Sequence, residues 1–118
     1  MSILLDGDTT NGQLGMVRTR GSGGAAAPVH VHSREDEVFL VLEGSGIFWV
    51  GDQREEVSAG GVAFLPRGLP HAYRVTSDYI DLITLCAPAG IEFFSNPPHK
   101  AVSPGCGPGD GDAMCYFR

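Results

Sequence analysis

Short apolar runs separated by glycine and proline are the feature that most limits how this chain can fold. The 118 residues include 17 glycines and 8 prolines, and many of them lie between apolar runs. Runs of about four to eight residues bounded by such turn signals predict strands rather than helices. The length suits one domain with one core. We therefore expect an all-β protein, a sandwich or small barrel of about eight short strands.

The alternation of side chains locates the individual strands, because residues two apart lie on the same face of a strand. Strands are predicted at residues 13–19, 29–32, 37–42, 47–50, 53–57, 62–65, 71–75 and 79–86. Residues 21–27 are predicted to form a Gly/Ala loop. Residues 37–42 are mostly apolar on both faces, which suits a strand enclosed between two layers.

The pattern changes after residue 86, where prolines become frequent. We predict a barrel over residues 1–94 and a Pro/Gly-rich tail over residues 95–118, either a lid or partly disordered. The tail is not expected to form a regular element, because proline removes a backbone donor and interrupts both helix and sheet. Its apolar tip at residues 114–117 can dock on the barrel.

The composition argues against several classes of partner. The net charge is −6 and Lys100 is the only lysine, so no basic stripe is available for nucleic acid. The sequence contains no run of about 18 apolar residues, so no membrane span is predicted. Three cysteines, with no signal-peptide pattern in the first residues, predict reduced thiols in a cytoplasmic protein. Cys86 is expected to be a small buried apolar residue.

Three histidines and one glutamate carry the functional prediction. His30 and His32 lie on one face of a predicted strand, and the polar turn at residues 33–36 brings Glu37 back towards them from an antiparallel neighbour. His71 follows a rigid Pro/Gly loop from a distant strand. Three imidazoles and a carboxylate suit one divalent metal ion, with Fe, Mn, Ni, Co and Zn all acceptable. In an octahedral ion, two positions would stay open for a substrate, or for a substrate and dioxygen.

Two stretches that contain these residues resemble the two motifs of the cupin family. Gly24, His30, His32, Glu37 and Gly44 match the first motif, G-x5-HxH-x4-E-x6-G, without a departure. The second motif, G-x5-PxG-x2-H-x3-N, matches at every position but the last, which is not a metal ligand. The matching positions are Gly60, Pro66, Gly68 and His71, and Val75 stands where the motif has Asn. The resemblance covers about residues 12–94.

The resemblance implies a cupin fold, a double-stranded β-helix or jelly-roll barrel, with His30, His32, Glu37 and His71 as the metal ligands. Within that family, the sequence is similar to those of small single-domain, quercetin-dioxygenase-like cupins. That subgroup implies a metal-dependent enzyme acting on an enolisable or aromatic substrate that is flavonol- or polyketide-like. It also implies a homodimer through an exchanged or edge-paired strand.

Three functions stay open from the sequence. Fe, Mn, Ni or Co would support a dioxygenase, whereas Zn as a Lewis acid would support an isomerase, epimerase or cyclase. A non-catalytic cupin that binds a small molecule is the third alternative. Glu37→Gln separates the enzymes from the binding module, because the enzymes would lose turnover while the binding module would keep its ligand.

Other residues are assigned by their position along the strands. Tyr73 shares the face of His71, so it is a candidate catalytic residue beside Glu37. The predicted substrate pocket is apolar and is formed by Phe39, Val41, Phe64, Tyr73 and Val75. Three charged residues are expected to be solvated, namely Arg18, Glu35 and Asp36.

Overall fold

The computed structural model describes residues 1–90 and the backbone of a short strand at Tyr116–Phe117. All regular elements in these ranges are strands. They are β1 (Ser2–Leu5), β2 (Gly15–Ser22), β3 (Ala26–Val31), β4 (Asp36–Glu43), β5 (Ser45–Val50), β6 (Gln53–Ser58), β7 (Val62–Leu65), β8 (His71–Val75), β9 (Tyr79–Ala87) and β10 (Tyr116–Phe117). Within the described residues, no helix is long and apolar enough to cross a membrane.

The strands form two five-stranded sheets that enclose one core. The first sheet has the order β1-β2-β9-β4-β7, and the second has the order β10-β3-β8-β5-β6. All pairings are antiparallel except that of β10 with β3. Consecutive strands such as β3 and β4 lie in different sheets, so the chain crosses repeatedly between the two layers. This arrangement is the double-stranded β-helix, and the predicted all-β fold is confirmed.

The core is formed by the inward faces of both sheets. Alternate residues of β4 and β9 are buried, because each strand turns one face towards the opposite sheet. The buried cluster contains Phe39, Val41, Phe48, Val57, Ala63, Leu65, Val75, Ile80 and Leu82. At about 25 cal/mol for each Å² of apolar surface removed from water, burial of these large side chains is the main stabilising contribution.

The predicted strands agree with the structure best where the chain turns sharply. β7 has the predicted bounds, and β6 and β9 each extend one residue further. The predicted loop at residues 21–27 is shorter, because β2 continues to Ser22 and β3 begins at Ala26. The prediction overlooked β1. The tail does contain a short strand, β10, which pairs with β3 in agreement with the predicted docking of the tip. The rest of the tail lies outside the described residues.

Candidate metal centre

The two sheets deliver the four predicted ligands to one place. His30 on β3 pairs directly with His71 on β8, and His32 follows the end of β3. Glu37 lies at the start of β4 in the other sheet, where its neighbours are β7 and β9. The prediction that Glu37 approaches from an antiparallel neighbour of β3 is therefore wrong. The turn at residues 33–36 carries the chain across to the facing sheet, so Glu37 meets the histidines across the barrel interior.

The donor atoms of these side chains converge. Glu37 Oε2 lies 3.2 Å from His32 Nε2 and 3.0 Å from His71 Nε2. His71 Nε2 lies 2.9 Å from His30 Nε2. One donor atom from each residue lies within 4.8 Å of all the others, and His30 alone is only partly buried. Ligands held about 2.0–2.2 Å from one ion lie roughly 3–4 Å apart, so this cluster can hold a metal ion after a small contraction.

The protonation state of His30 suits a metal ligand. Its Nδ1 donates a hydrogen bond to the carbonyl oxygen of Pro28 at 2.7 Å, because a carbonyl can only accept. Burial, followed by the neighbouring His71, lowers the pKa of His30 to about 4. The ring is therefore neutral at pH 7, and the lone pair of Nε2 points into the cluster. A backbone acceptor on the outer nitrogen is the usual way to orient a metal-binding histidine.

Glu37 supplies the negative charge of the cluster. Burial acts to raise the pKa of its carboxyl, but the imidazoles of His32 and His71 outweigh burial and lower that pKa to about 2. Oε2 of Glu37 and Nε2 of His32 are buried, yet neither has a hydrogen bond of good geometry within the described part of the chain. A cation bound between these buried oxygen and nitrogen atoms would satisfy both of them. The residues present therefore fit a divalent metal ion.

The loop before His71 is fixed to the rest of the site by two contacts. Arg67 forms a bidentate ion pair with Asp36, and its backbone N–H also donates to Asp36 at 2.8 Å. The N–H of Gly68 donates to the carbonyl oxygen of His32 at 2.8 Å. These bonds connect the segment that carries His71 to the residues beside Glu37 and to His32 itself. They hold ligands from two sheets in register.

Tyr73 lies beside the cluster, on the face of β8 that carries His71. Its ring packs against Phe39 and Phe48, with centroid distances of 5.5 Å and 5.7 Å. Burial, and then the charge of Glu37, raise the pKa of the Tyr73 hydroxyl above its usual value. The hydroxyl therefore stays protonated and can donate a hydrogen bond.

The structure brings together four of the five predicted pocket residues. Phe39, Val41 and Val75 are buried in the core, and Tyr73 packs against it. Phe64 does not join them. Its side chain is 58% exposed, because β7 turns Ala63 and Leu65 inward and Phe64 to the opposite face. The sequence could not make this distinction, since β7 is apolar on both faces.

The residues predicted to be solvated have more specific roles. The prediction that Glu35 is solvated is wrong, because this residue is only 4% exposed. Asp36 is only partly buried but anchors Arg67, and Arg18 forms a bidentate ion pair with the buried Asp81. Cys86 is fully buried, as predicted, and pairs across the sheet with Glu37.

The fold and the four converging donors define a class of protein, an all-β barrel with a buried nitrogen- and oxygen-donor site. Residues 18–88 match the family described as the cupin domain. The match spans more than half of the 118 residues, and the chain belongs to the cupin family.

Two curated relatives carry names of dioxygenases. The chain is 31% identical over 83 residues to quercetin 2,3-dioxygenase of Bacillus subtilis (strain 168), covering 70% of this chain and 25% of that protein. It is 36% identical over 76 residues to acireductone dioxygenase 2 of Oryza sativa subsp. indica, covering 59% of this chain and 38% of that protein. The chain spans half or less of the length of the curated relatives it matches.

Solved structures agree with the fold. KdgF from Halomonas sp. superimposes with a TM-score of 0.70 at 19% sequence identity, covering 79% of this chain and 82% of that chain. The TT1209 protein from Thermus thermophilus superimposes with a TM-score of 0.62 at 31% identity, covering 65% of this chain and 74% of that chain. The similarity to KdgF, at 19% identity, bears on the fold alone.

Proposed function

We propose that this cupin is a metal-dependent enzyme that acts on an enolisable aromatic small molecule, with dioxygenation as its reaction. The observation that carries the proposal is the buried cluster of His30, His32, Glu37 and His71, whose donor atoms face a common point. The dioxygenase relatives support the same chemistry. A divalent ion held by these residues would supply Lewis acidity and, if it is redox-active, chemistry with dioxygen.

Two side chains of the site can move a proton. The ionised carboxylate of Glu37 is a base that can accept the hydroxyl proton of an enol substrate at Oε1, the oxygen that does not face the metal cluster. Tyr73 can donate a hydrogen bond from its hydroxyl to a substrate oxygen. The ring of Tyr73, which packs on the buried Phe39 and Phe48, gives the site an apolar side against which a planar substrate would pack. These properties suit an aromatic enol, for which a flavonol is the appropriate probe.

A second candidate is an isomerase, epimerase or cyclase that uses the same site without dioxygen. The pair formed by Glu37 and Tyr73 favours it, because an ionised carboxylate and a protonated phenol can remove a proton at one atom and return it at another. The bound metal separates the two enzymes. Zinc would supply Lewis acidity alone, whereas Fe, Mn, Ni or Co would allow oxidation.

The test is turnover by the metal-loaded protein and its Glu37→Gln variant, with Glu43→Gln on the exposed end of β4 as the control. Oxygen uptake with flavonols that is lost in Glu37→Gln but kept in Glu43→Gln supports the dioxygenase. Deuterium exchange into the substrate without oxygen uptake supports the second candidate. Ligand binding without either reaction would overturn both and leave the binding module.

The homodimer and the cytoplasmic location are two further predictions. The homodimer would be measured by light scattering coupled to gel filtration, and a monomer at micromolar concentration would contradict it. The cytoplasmic location would be measured by cell fractionation.

A further inference from the structure

A groove opens between β6 and β7, the edge strands of the two sheets on one side of the barrel. It has a volume of about 200 Å³. It is lined by Phe48, Val50, Gln53, Glu55, Ala63 and Phe64. None of the four metal-site residues lines it, so the groove is a separate feature of the molecule.

The register of β6 turns two polar side chains towards this groove. Val57 is buried in the core, so it marks the inward face of β6. Residues two apart share a face, which places Gln53 and Glu55 on the same side. Their partners on β5 agree, because Gln53 pairs with Val50 and Glu55 pairs with Phe48. Both polar residues therefore lie on the inward face at the open side of the barrel.

The same register sets the spacing between the groove and the metal centre. Val50 pairs with His71, and His71 pairs with His30. In the next row, Phe48 pairs with Tyr73. Neighbouring strands lie about 4.8 Å apart, so roughly 10 Å separates β6 from β8. A planar molecule of two or three fused or linked rings is long enough to reach from the histidines to Gln53 and Glu55.

Gln53 and Glu55 are available to a ligand. Neither side chain forms a hydrogen bond or an ion pair with another residue in the described part of the chain, and both are exposed. An ionised carboxylate only accepts hydrogen bonds, whereas an amide both donates and accepts. Beside the apolar Phe48, Val50 and Ala63, these groups suit a ligand that is aromatic but carries hydroxyl groups at its end.

We propose that Gln53 and Glu55 form a specificity subsite that binds hydroxyl groups on the end of an aromatic substrate remote from its reacting oxygens. The inference rests on the proposed function, since it places the reacting end at the four donors. The subsite selects polyhydroxylated aromatic substrates over those with unsubstituted outer rings. A ring hydroxyl that donates to the Glu55 carboxylate beside these apolar side chains stabilises the complex, whereas an unsubstituted ring gains no such hydrogen bond.

An ordinary role competes with this one, because polar residues on an edge strand also protect the edge from pairing with other chains. Glu56 provides the matched control. It adjoins Glu55 on the same strand, is exposed, and pairs with Ile47 on the opposite face. A role in edge protection or in overall charge would affect Glu55→Gln and Glu56→Gln equally. A role in ligand recognition would affect Glu55→Gln alone.

The experiment measures binding of two flavonols to the zinc-loaded full chain under argon, so that no turnover is needed. Quercetin carries hydroxyl groups on its outer rings, whereas 3-hydroxyflavone has the same vicinal hydroxyl and carbonyl oxygens but no outer hydroxyl. We expect the wild type to prefer quercetin by about tenfold or more, which is the loss typical of a hydrogen bond to a charged group. Glu55→Gln and Gln53→Ala should reduce that preference to about threefold or less, and Glu56→Gln should keep it.

The zinc content of each variant is measured alongside, so that failures can be told apart. Equal binding of both flavonols by the wild type, or an unchanged preference in Glu55→Gln, would overturn the subsite alone. Equal losses in Glu55→Gln and Glu56→Gln would do the same. A protein that holds zinc but binds neither flavonol would overturn the proposed substrate class and the subsite with it. A protein that holds no zinc, and takes up no Fe, Mn, Ni or Co when these are supplied instead, would overturn the metal-dependent function itself.

Discussion

His30 and His71 face each other across the paired strands β3 and β8, with their Nε2 atoms 2.9 Å apart. The Pro28 carbonyl keeps the proton of His30 on Nδ1, so Nε2 of His30 turns its lone pair towards the cluster. Glu37 reaches them from the opposite sheet. The site is thus built by the barrel as a whole, and residues that hold the two sheets in register should affect it.

Asp36→Asn should weaken metal binding without removing a ligand. The change breaks the bidentate ion pair with Arg67, which holds the loop that precedes His71. Loss of such an outer contact typically costs about 10- to 100-fold in metal affinity. Competition with a chromogenic chelator measures the affinity, and Asp52→Asn in the exposed β5–β6 turn is the control. Equal affinities of the wild type and Asp36→Asn would show that the ion pair does not position the site.

Tyr73→Phe should lower turnover while leaving the metal content unchanged. The variant keeps the ring that packs on Phe39 and Phe48 and removes only the protonated hydroxyl. One hydrogen bond of about 1.5 kcal/mol corresponds to roughly a tenfold loss in kcat/KM. Tyr79→Phe, at an exposed position, is the matched control. An undiminished kcat/KM in Tyr73→Phe would remove Tyr73 from the mechanism.

Gly44→Ala and Gly60→Ala should differ strongly in stability. Both glycines have a positive φ, +86° and +87°, so both substitutions carry a backbone cost of about 1–2 kcal/mol. At Gly44 a new Cβ would also overlap the carbonyl oxygen of Tyr79, whereas nothing lies within 4 Å at Gly60. We expect a loss of roughly 2–5 kcal/mol for Gly44→Ala in urea unfolding. Equal losses would contradict the close packing of this turn.

The ion pair between Arg18 and Asp81 should make stability depend on pH. The hydrogen bond from Arg18 lowers the pKa of Asp81, which is 5% exposed. A lowered folded-state pKa means that the unfolded chain binds the proton more readily. The stabilisation is therefore full above about pH 4–5, the range of an ordinary carboxyl, and is lost as the pH falls through the lowered folded value.

Urea unfolding of the wild type and Asp81→Asn at several pH values measures this effect. The difference in their free energies of unfolding should be constant from pH 7 to about pH 5 and should shrink below about pH 4. Asp78→Asn, in the exposed turn before β9, is the control and should show no such dependence. A difference that stays constant down to pH 2 would show that the ion pair does not contribute through the charge of Asp81.

The strands and the four residues of the candidate site were predictable because local signals determine them. Gly60, Gly61 and Pro66 bound β7, and the spacing of His30 and His32 puts both on one face of a strand. Which sheet receives Glu37 was not predictable, because the crossing at residues 33–36 depends on long-range pairing with β7 and β9. The outward direction of Phe64 was not predictable for the same reason, because Phe64 lies on a strand with two apolar faces.

Polar residues were harder to place than apolar ones. Glu35 was expected in solvent because the turn around it is polar, yet the crossing between the sheets buries it. The strand predicted at residues 53–57 is mostly polar, so polarity alone does not show that Gln53 and Glu55 point inward. Val57 carried that signal, since it is the apolar residue of β6 and fixes which face is inward.

Metal content tests the central claim most directly. Untagged protein purified without chelators would be analysed by elemental mass spectrometry, together with a His71→Ala variant that lacks one of the four donors. We expect close to one equivalent of a divalent transition metal in the wild type and a much lower content in the variant. A wild-type protein that is free of metal, and that takes none up when Fe, Mn, Ni, Co or Zn is supplied, would contradict the account.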